Sequence, residues 1–196
     1  MYLPDVFLGK AEHMFALLRD HPLTTLIVHG DAVPHIAHVP LLARADHTTL
    51  LGHVASRNPL VRDIDAGASA TVVVHGPDAY VSPTMYLTSV GHVPTWNYAV
   101  AHVQGRLIRA SDQVNTLDNL VAAFEGEDAY RPDWTDSNVS ALTAHIVCFE
   151  LVIETIDVKL KLSQNRHPQD FDSAAAYLAR GGRSELVRWM KLAQLK

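Results

Sequence analysis

One cysteine, Cys148, stands among 196 residues. A disulfide framework is therefore excluded, and a reducing cytoplasm is the expected compartment. Charge is sparse: Asp, Glu, Lys and Arg make up 19% of the chain, and the net charge is −5 with histidine neutral. That balance argues against a surface that grips nucleic acid throughout. No apolar run reaches the length of a membrane span, so no membrane partner is expected. No signal peptide is expected either, because Lys10 and Arg19 interrupt the N-terminal apolar residues. Glycine-rich phosphate fingerprints are missing, and strands do not alternate regularly with long helices, which sets a Rossmann fold aside. His-Glu-x-x-His and Cys-x-x-Cys patterns are missing too. The 12 histidines are scattered, and His35 and His38 are placed to point to opposite faces of a strand. No metal site is expected.

Hydrophobic residues make up 48% of the chain, the range of a globular fold. The length suits one domain with a helical appendage, residues 1–168 and 169–196. The chain is organised around residues 91–107. Pro94 cannot donate to a ladder and reads as the entry to a strand. Beyond it Tyr98, Val100, His102 and Gln104 share one face at period two, and Ala99, Ala101 and Val103 the other. Thr95-Trp96-Asn97-Tyr98 brings two large aromatics and an amide into the strand entrance. Two readings stand on spacing alone: aromatics that complete a core, or a wall for a planar ligand.

The remaining pattern is mainly β. Residues 1–7 read as extended and 10–19 as an amphipathic helix. Residues 23–29 and 34–43 read as a hairpin turning at Gly30-Asp31, with Pro40 marking an edge, a bulge or an opened ladder. Residues 48–55 form a third strand. Residues 69–75 read as a buried strand, Gly76-Pro77-Asp78 as a turn, 79–82 as a short strand and 84–92 as a loop. Ser111 or Asp112 caps a helix ended by Gly126, and Asp136 or Ser137 caps a shorter one. Residues 145–161 are a long strand. Asp172 or Ser173 starts a helix through Arg180, Gly181-Gly182 stops it, and Ser184 starts another through Gln194. This last pair resembles a helix-turn-helix only loosely, and a docked helical cap with a solvated basic face is the preferred reading. Six or seven strands with short helices at the joins suggest a closed or partly closed antiparallel barrel.

One turn invites chemistry. Ser56-Arg57-Asn58-Pro59 follows the third strand and precedes Leu60, Val61 and Ile64 at helical spacing. Asn58 suits the N-cap and Pro59 the first helical position. Unpaired backbone N–H groups there would favour an anion, and Arg57 would add a bidentate grip on phosphate. A plain helix cap with a solvated arginine is the other reading.

Five motifs then stand in order: Met1-Tyr2-x-Pro4-x-x-Phe7, Gly52-His53-Val54-Ala55-Ser56-Arg57-Asn58-Pro59, Ala79-Tyr80-Val81-Ser82-Pro83, Val93-Pro94-Thr95-Trp96-Asn97-Tyr98 and Lys161-Leu162-Ser163-Gln164-Asn165-Arg166. Together they resemble the PaiB-type FMN-binding negative transcriptional regulators, over roughly residues 1–168. The resemblance implies an α+β fold, mainly β: an antiparallel split β-barrel of the flavin-reductase and pyridoxamine-phosphate-oxidase type, with peripheral helices. It implies FMN as cofactor and a homodimer with flavin at the subunit interface. The phosphate would fall to His53, Val54, Ala55, Ser56, Arg57 and Asn58. The strand His38-Val39-Pro40-Leu41 would run along the flavin. Trp96 and Asn97, with Lys161, Ser163, Gln164 and Asn165, would complete the cofactor site. Where the family pattern has Gly-Lys-Trp the chain has Val158-Lys159-Leu160, and the loop before Pro94 is shorter, which implies a different cover for the ring. DNA as a partner rests on the resemblance alone. The alternatives are a flavin-dependent oxidoreductase acting on a small molecule and, behind it, a haem-binding split barrel. No catalytic residue is assigned.

Overall fold

The computed structural model describes residues 1–29, 33–88, 91–126 and 129–195. The alternating segments form the strands their period demands. β1 (Leu23–Val28) and β2 (His35–Pro40) make the expected antiparallel hairpin, Leu23 opposite Pro40 and Val28 opposite His35. Its expected turn at Gly30-Asp31 lies outside the described residues. Residues 34–43 are not one strand. The ladder breaks at Leu41, whose N–H donates to Pro22 O at 2.9 Å and whose side chain is buried. Beyond the break β3 (Leu42–Ala43) pairs with β4 (Thr49–Ala55).

Three long strands follow: β5 (Ser69–Val81), β6 (Thr95–Arg109) and β7 (Ile146–Lys161). Among the described residues the sheet has seven strands in the order β2-β1-β5-β6-β7-β4-β3. The turn expected at Gly76-Pro77-Asp78 does not form, and β5 runs through it. Gly76 serves a close approach instead: a Cβ there would stand 2.5 Å from Leu17 Cδ2 and 2.9 Å from Ala99 O. Among the described residues β1 pairs with β5 over Ala70–Val73, short of Pro77. Burial changes phase at this point, from Ala70, Val72 and Val74 to Ala79 and Val81. β7 changes phase likewise, from Val147, Phe149 and Leu151 to Val158 and Leu160, as bulges and bends produce.

The chain packs as two units, each drawn from separated segments. One comprises Met1–Leu17, His75–Ala101 and Asp157–Lys196, and the other Leu18–Val74 and His102–Ile156. In the second unit β2 touches β4, although the two stand far apart in the strand order, so the sheet curls there. Gly52 permits the approach: a Cβ on it would lie 2.5 Å from Leu41 Cδ2 and 2.9 Å from Phe149 Cζ.

The helices follow their caps. α1 (Ala11–Asp20) buries Met14, Leu17 and Leu18. α2 (Leu60–Asp65) starts after Asn58-Pro59. Asp112 accepts from Asn115 N at 3.0 Å to open α3 (Gln113–Glu125), and Gly126 ends it at φ 88°. Asp136 caps α4 (Ser137–Thr143). The N-terminal stretch read as extended contains a 3-10 turn at Asp5–Phe7. α5 (Pro168–Arg180) begins at Pro168, ahead of the expected Asp172 or Ser173, because proline at the first helical position gives up an N–H that would be unpaired anyway. After Gly182, at φ 77°, α6 (Ser184–Ala193) buries Leu186, Trp189 and Met190, while Arg183, Arg188 and Lys191 stay exposed. No helix among the described residues is long and apolar enough to cross a membrane.

Candidate functional site

The second unit brings together two of the expected segments. Val39 and Leu41 are buried and Thr24 donates to Val39 O at 2.9 Å, so this strand is fixed from behind. His38 stays exposed, with its Nδ1 3.2 Å from Thr25 Oγ1. On β4, Val54 is buried opposite Val147, and Ala55 is exposed opposite Ile146. His53 and Pro40 share the wall of an apolar pocket of about 360 Å³, closed by Leu117, Phe124, Trp134 and Ile146. His53 Nδ1 is buried with no hydrogen-bond partner, and burial holds the ring below its ordinary pKa. A neutral imidazole with one unanswered nitrogen against apolar walls is the usual composition of a ligand pocket.

The turn after β4 differs from its expectation in one respect. Asn58 does cap the helix, accepting from Leu60 N at 3.0 Å. The backbone N–H groups expected to be free are nevertheless taken. Val61 N donates to Asn58 O at 3.0 Å, Arg62 N to Pro59 O at 3.2 Å, and Ser56 N to His145 O at 2.8 Å. α2 is also only six residues long, which leaves little aligned dipole. An anion at this turn would depend on the exposed Arg57 side chain and the Ser56 hydroxyl.

The first unit assembles the other expected residues. Trp96 is 53% exposed and meets Tyr80 edge-on at 6.0 Å between centroids. It does not complete a core. Asn97 is 1% exposed, its Oδ1 accepting from Ser163 Oγ at 3.0 Å while its Nδ2 has no partner. Ser163 holds φ 65°, a left-handed conformation uncommon outside glycine. Lys161 Nζ donates to Thr95 Oγ1 and, at 2.8 Å, to Trp96 O. Gln164 is held by neighbouring backbone: its Nε2 donates to Val6 O at 3.0 Å and to Leu160 O, and its Oε1 accepts from Leu162 N at 2.8 Å. Asn165 is exposed and borders a cleft shared with Phe7, Thr95, Asn97, Lys161 and Arg166.

The expected residues thus fall into two groups, one in each unit. Sequence reasoning missed Lys159 and Arg166 as members of the second group. Lys159 Nζ lies 5.8 Å and Lys161 Nζ 6.0 Å from the Tyr98 ring centroid. Arg166 stacks over Tyr86 at 5.3 Å and reaches His92 Nδ1 at 3.2 Å. The signal was present, since Lys159 and Lys161 alternate on one strand face and Arg166 closes the last motif. Cys148 is buried, and burial pushes its thiol up to about 11, which disfavours the thiolate. Among the described residues no three His, Cys, Asp or Glu side chains are placed to share a metal ion.

Comparison with known proteins bears on this arrangement. The family model described as "Putative FMN-binding domain" matches residues 1–155, which hold β1 to β6 and most of β7. "Protease synthase and sporulation protein PAI 2" of Bacillus subtilis is 29% identical over 179 residues, 87% of this chain and 86% of that protein. An uncharacterized protein of Saccharomyces cerevisiae, YKL070W, is 32% identical over 160 residues, 68% of this chain and 94% of its own. Among solved structures, the FAD and haem binding protein from Mycobacterium smegmatis superposes with a TM-score of 0.60 at 21% identity, covering 86% of this chain and 78% of that one. The flavocytochrome Anf3 from Azotobacter vinelandii gives a TM-score of 0.58 at 16% identity, covering 80% and 74%. At such identities the likeness is one of fold, and the fold is the expected one: an antiparallel split barrel, mainly β, with peripheral helices. With its family model matched across 155 of 196 residues, the chain belongs to the FMN-binding domain family, on a split barrel.

Proposed function

We propose that the protein binds FMN as a homodimer and acts as a negative transcriptional regulator of the PaiB type. Residues 1–168 are the flavin-binding domain in this reading, and 169–196 an extension. The observation that carries it is the family match over residues 1–155, which contain the strand His38–Leu41, the β4 turn and the Trp96–Asn97 entrance. The regulatory part, and DNA as a partner, rest on the resemblance of the five motifs.

The residues present suit a flavin. An isoalloxazine needs apolar walls and a few polar groups aimed at its edge. Val39, Pro40 and Leu41 supply a fixed backbone edge, and His53 Nδ1 is an unanswered polar atom in an apolar wall. Arg57 and the Ser56 hydroxyl would hold the phosphate. Trp96, Asn97 and the segment Lys161–Asn165 would cover the ring from the partner subunit. When bound, FMN supplies redox chemistry that no side chain offers.

Calorimetric titration of FMN and riboflavin into wild type and Arg57→Ala tests the assignment. FMN affinity should fall about tenfold in the variant, one charge-assisted contact at an exposed site. Riboflavin, which lacks the phosphate, should bind both proteins equally. A wild type that binds neither flavin would sink the reading. Equal losses for both ligands would move the phosphate off this turn.

A further inference from the structure

We infer that the first unit carries a seat for an oxyanion, the phosphate or carboxylate of a small molecule, built by Lys161, Arg166 and the Asn97 amide, with Lys159, which donates to Tyr2 O at 2.9 Å, adding its charge from beside Lys161. It goes beyond the flavin reading, since it requires no flavin.

The seat stands on geometry. Lys161, Arg166 and Asn97 line one cleft of about 50 Å³. A water needs roughly 10–15 Å³, so the cleft takes a group of a few heavy atoms and no aromatic ring. Lys159 and Lys161 place their ammonium groups 5.8 and 6.0 Å from the same Tyr98 centroid. None of the three cations has a carboxylate partner among the described residues. Asp157 is taken by the N-terminal amine at 3.3 Å. Asp170 reaches Arg166 only through His92, 3.2 Å from the guanidinium and 3.5 Å from the carboxylate. Three cations so placed repel one another until an anion joins them.

Two further features point the same way. Asn97 is almost fully buried, yet its Nδ2 donates to nothing, a deficit that native interiors rarely leave without a partner. An oxyanion in the cleft would accept from it. Ser163, which orients Asn97 through its hydroxyl, is held at φ 65°, and such backbone persists where surrounding structure imposes it, commonly at ligand sites. Lys161 is depressed from its ordinary value by burial first and then by Lys159 and Arg166, as a cluster lacking its counter-charge should be.

The test uses flavin-free protein, calorimetric titration and two probes, inorganic phosphate and acetate. Wild type should bind at least one of them saturably, with a dissociation constant of about 1 mM or tighter. Lys161→Gln and Arg166→Gln should each weaken that binding about tenfold, with circular dichroism confirming the fold. Arg183→Gln, an exposed arginine on the turn before α6, should bind as wild type. The seat is overturned if wild type binds neither probe, if both cleft variants bind as wild type, or if Arg183→Gln loses as much as they do. Repeating the phosphate titration with FMN or riboflavin present identifies the source. Displacement by FMN alone makes the flavin's own phosphate the occupant; phosphate binding unchanged by either makes it a separate small molecule. A protein that binds phosphate but no flavin would refute the flavin reading and leave the seat standing.

Discussion

Asp170 is 2% exposed, and its carboxylate accepts from Thr88 Oγ1 at 2.6 Å, Leu87 N at 2.9 Å and Thr88 N at 3.0 Å. The Thr88 hydroxyl first, then the backbone amides and the nearby His92, hold the carboxyl below its ordinary value. A group whose folded pKa is depressed stabilises the fold above its unfolded pKa, about 3.9, and loses that contribution as pH falls through the lower folded value. Asp170→Asn should therefore unfold at lower urea than wild type near neutral pH. The gap should narrow steadily below about pH 4, where the wild-type carboxyl is protonated as well. Urea midpoints of both proteins from neutral to acid pH measure this. A gap that stays constant into strong acid would show that Asp170 acts through shape alone. The same residue fastens α5 to the segment after the Pro83–Met85 turn, so the effect should extend to the Arg166 end of the oxyanion seat.

At the scale of the element, two glycines decide how strands approach their neighbours. A Cβ at Gly105 on β6 would lie 2.1 Å from Val152 O, a backbone atom that cannot rotate away. A Cβ at Gly52 on β4 would meet the side chains of Leu41 and Phe149, which can yield a little. Overpacking a filled core costs about 1–3 kcal/mol. Gly52→Ala should fall in that range, and Gly105→Ala should cost more, because relief requires β6 and β7 to separate. Denaturant unfolding of the two variants gives the order. Equal or reversed losses would mean that the strands slide rather than part. Gly52→Ala should also displace Leu41, and with it the strand edge proposed to lie along the flavin.

For the whole molecule, the proposal turns on a second copy. Trp96 and Tyr80 stand 53% and 46% exposed in contact with each other, and Val93, close before Trp96 in sequence, is 68% exposed. Clusters of exposed large apolar side chains mark interaction surfaces more often than solvent-facing ones. A shared site would explain why the expected ligand residues fall into two groups. Sedimentation velocity at micromolar concentration should show a dimer with an interface of ordinary size or larger. A monomer at that concentration would remove the partner-borne half of the flavin site. The oxyanion seat would survive, since all its residues come from one unit of one chain.

What is local in this protein was legible in the sequence. Pro94 opens β6, Asp112 and Asp136 cap α3 and α4, Gly126 ends α3, and residues 145–161 alternate as a strand, because each signal acts within a few residues of itself. Where the deciding partner is distant, local reading failed. Gly76-Pro77-Asp78 carries turn composition, yet Gly76 packs closely against Leu17 and Ala99 and the strand continues through it. The turn at Ser56–Asn58 promised free N–H groups, but the Asn58 side chain, Pro59 O and His145 O had already taken them. Lys159, Lys161 and Arg166 are ordinary cations in sequence. Only packing sets Lys161 and Arg166 beside Asn97, with Lys159 near Lys161 over the Tyr98 ring, and leaves the three without a carboxylate partner among the described residues. Capping and period are properties of a segment, whereas burial and charge compensation belong to residues that meet only after the chain has folded.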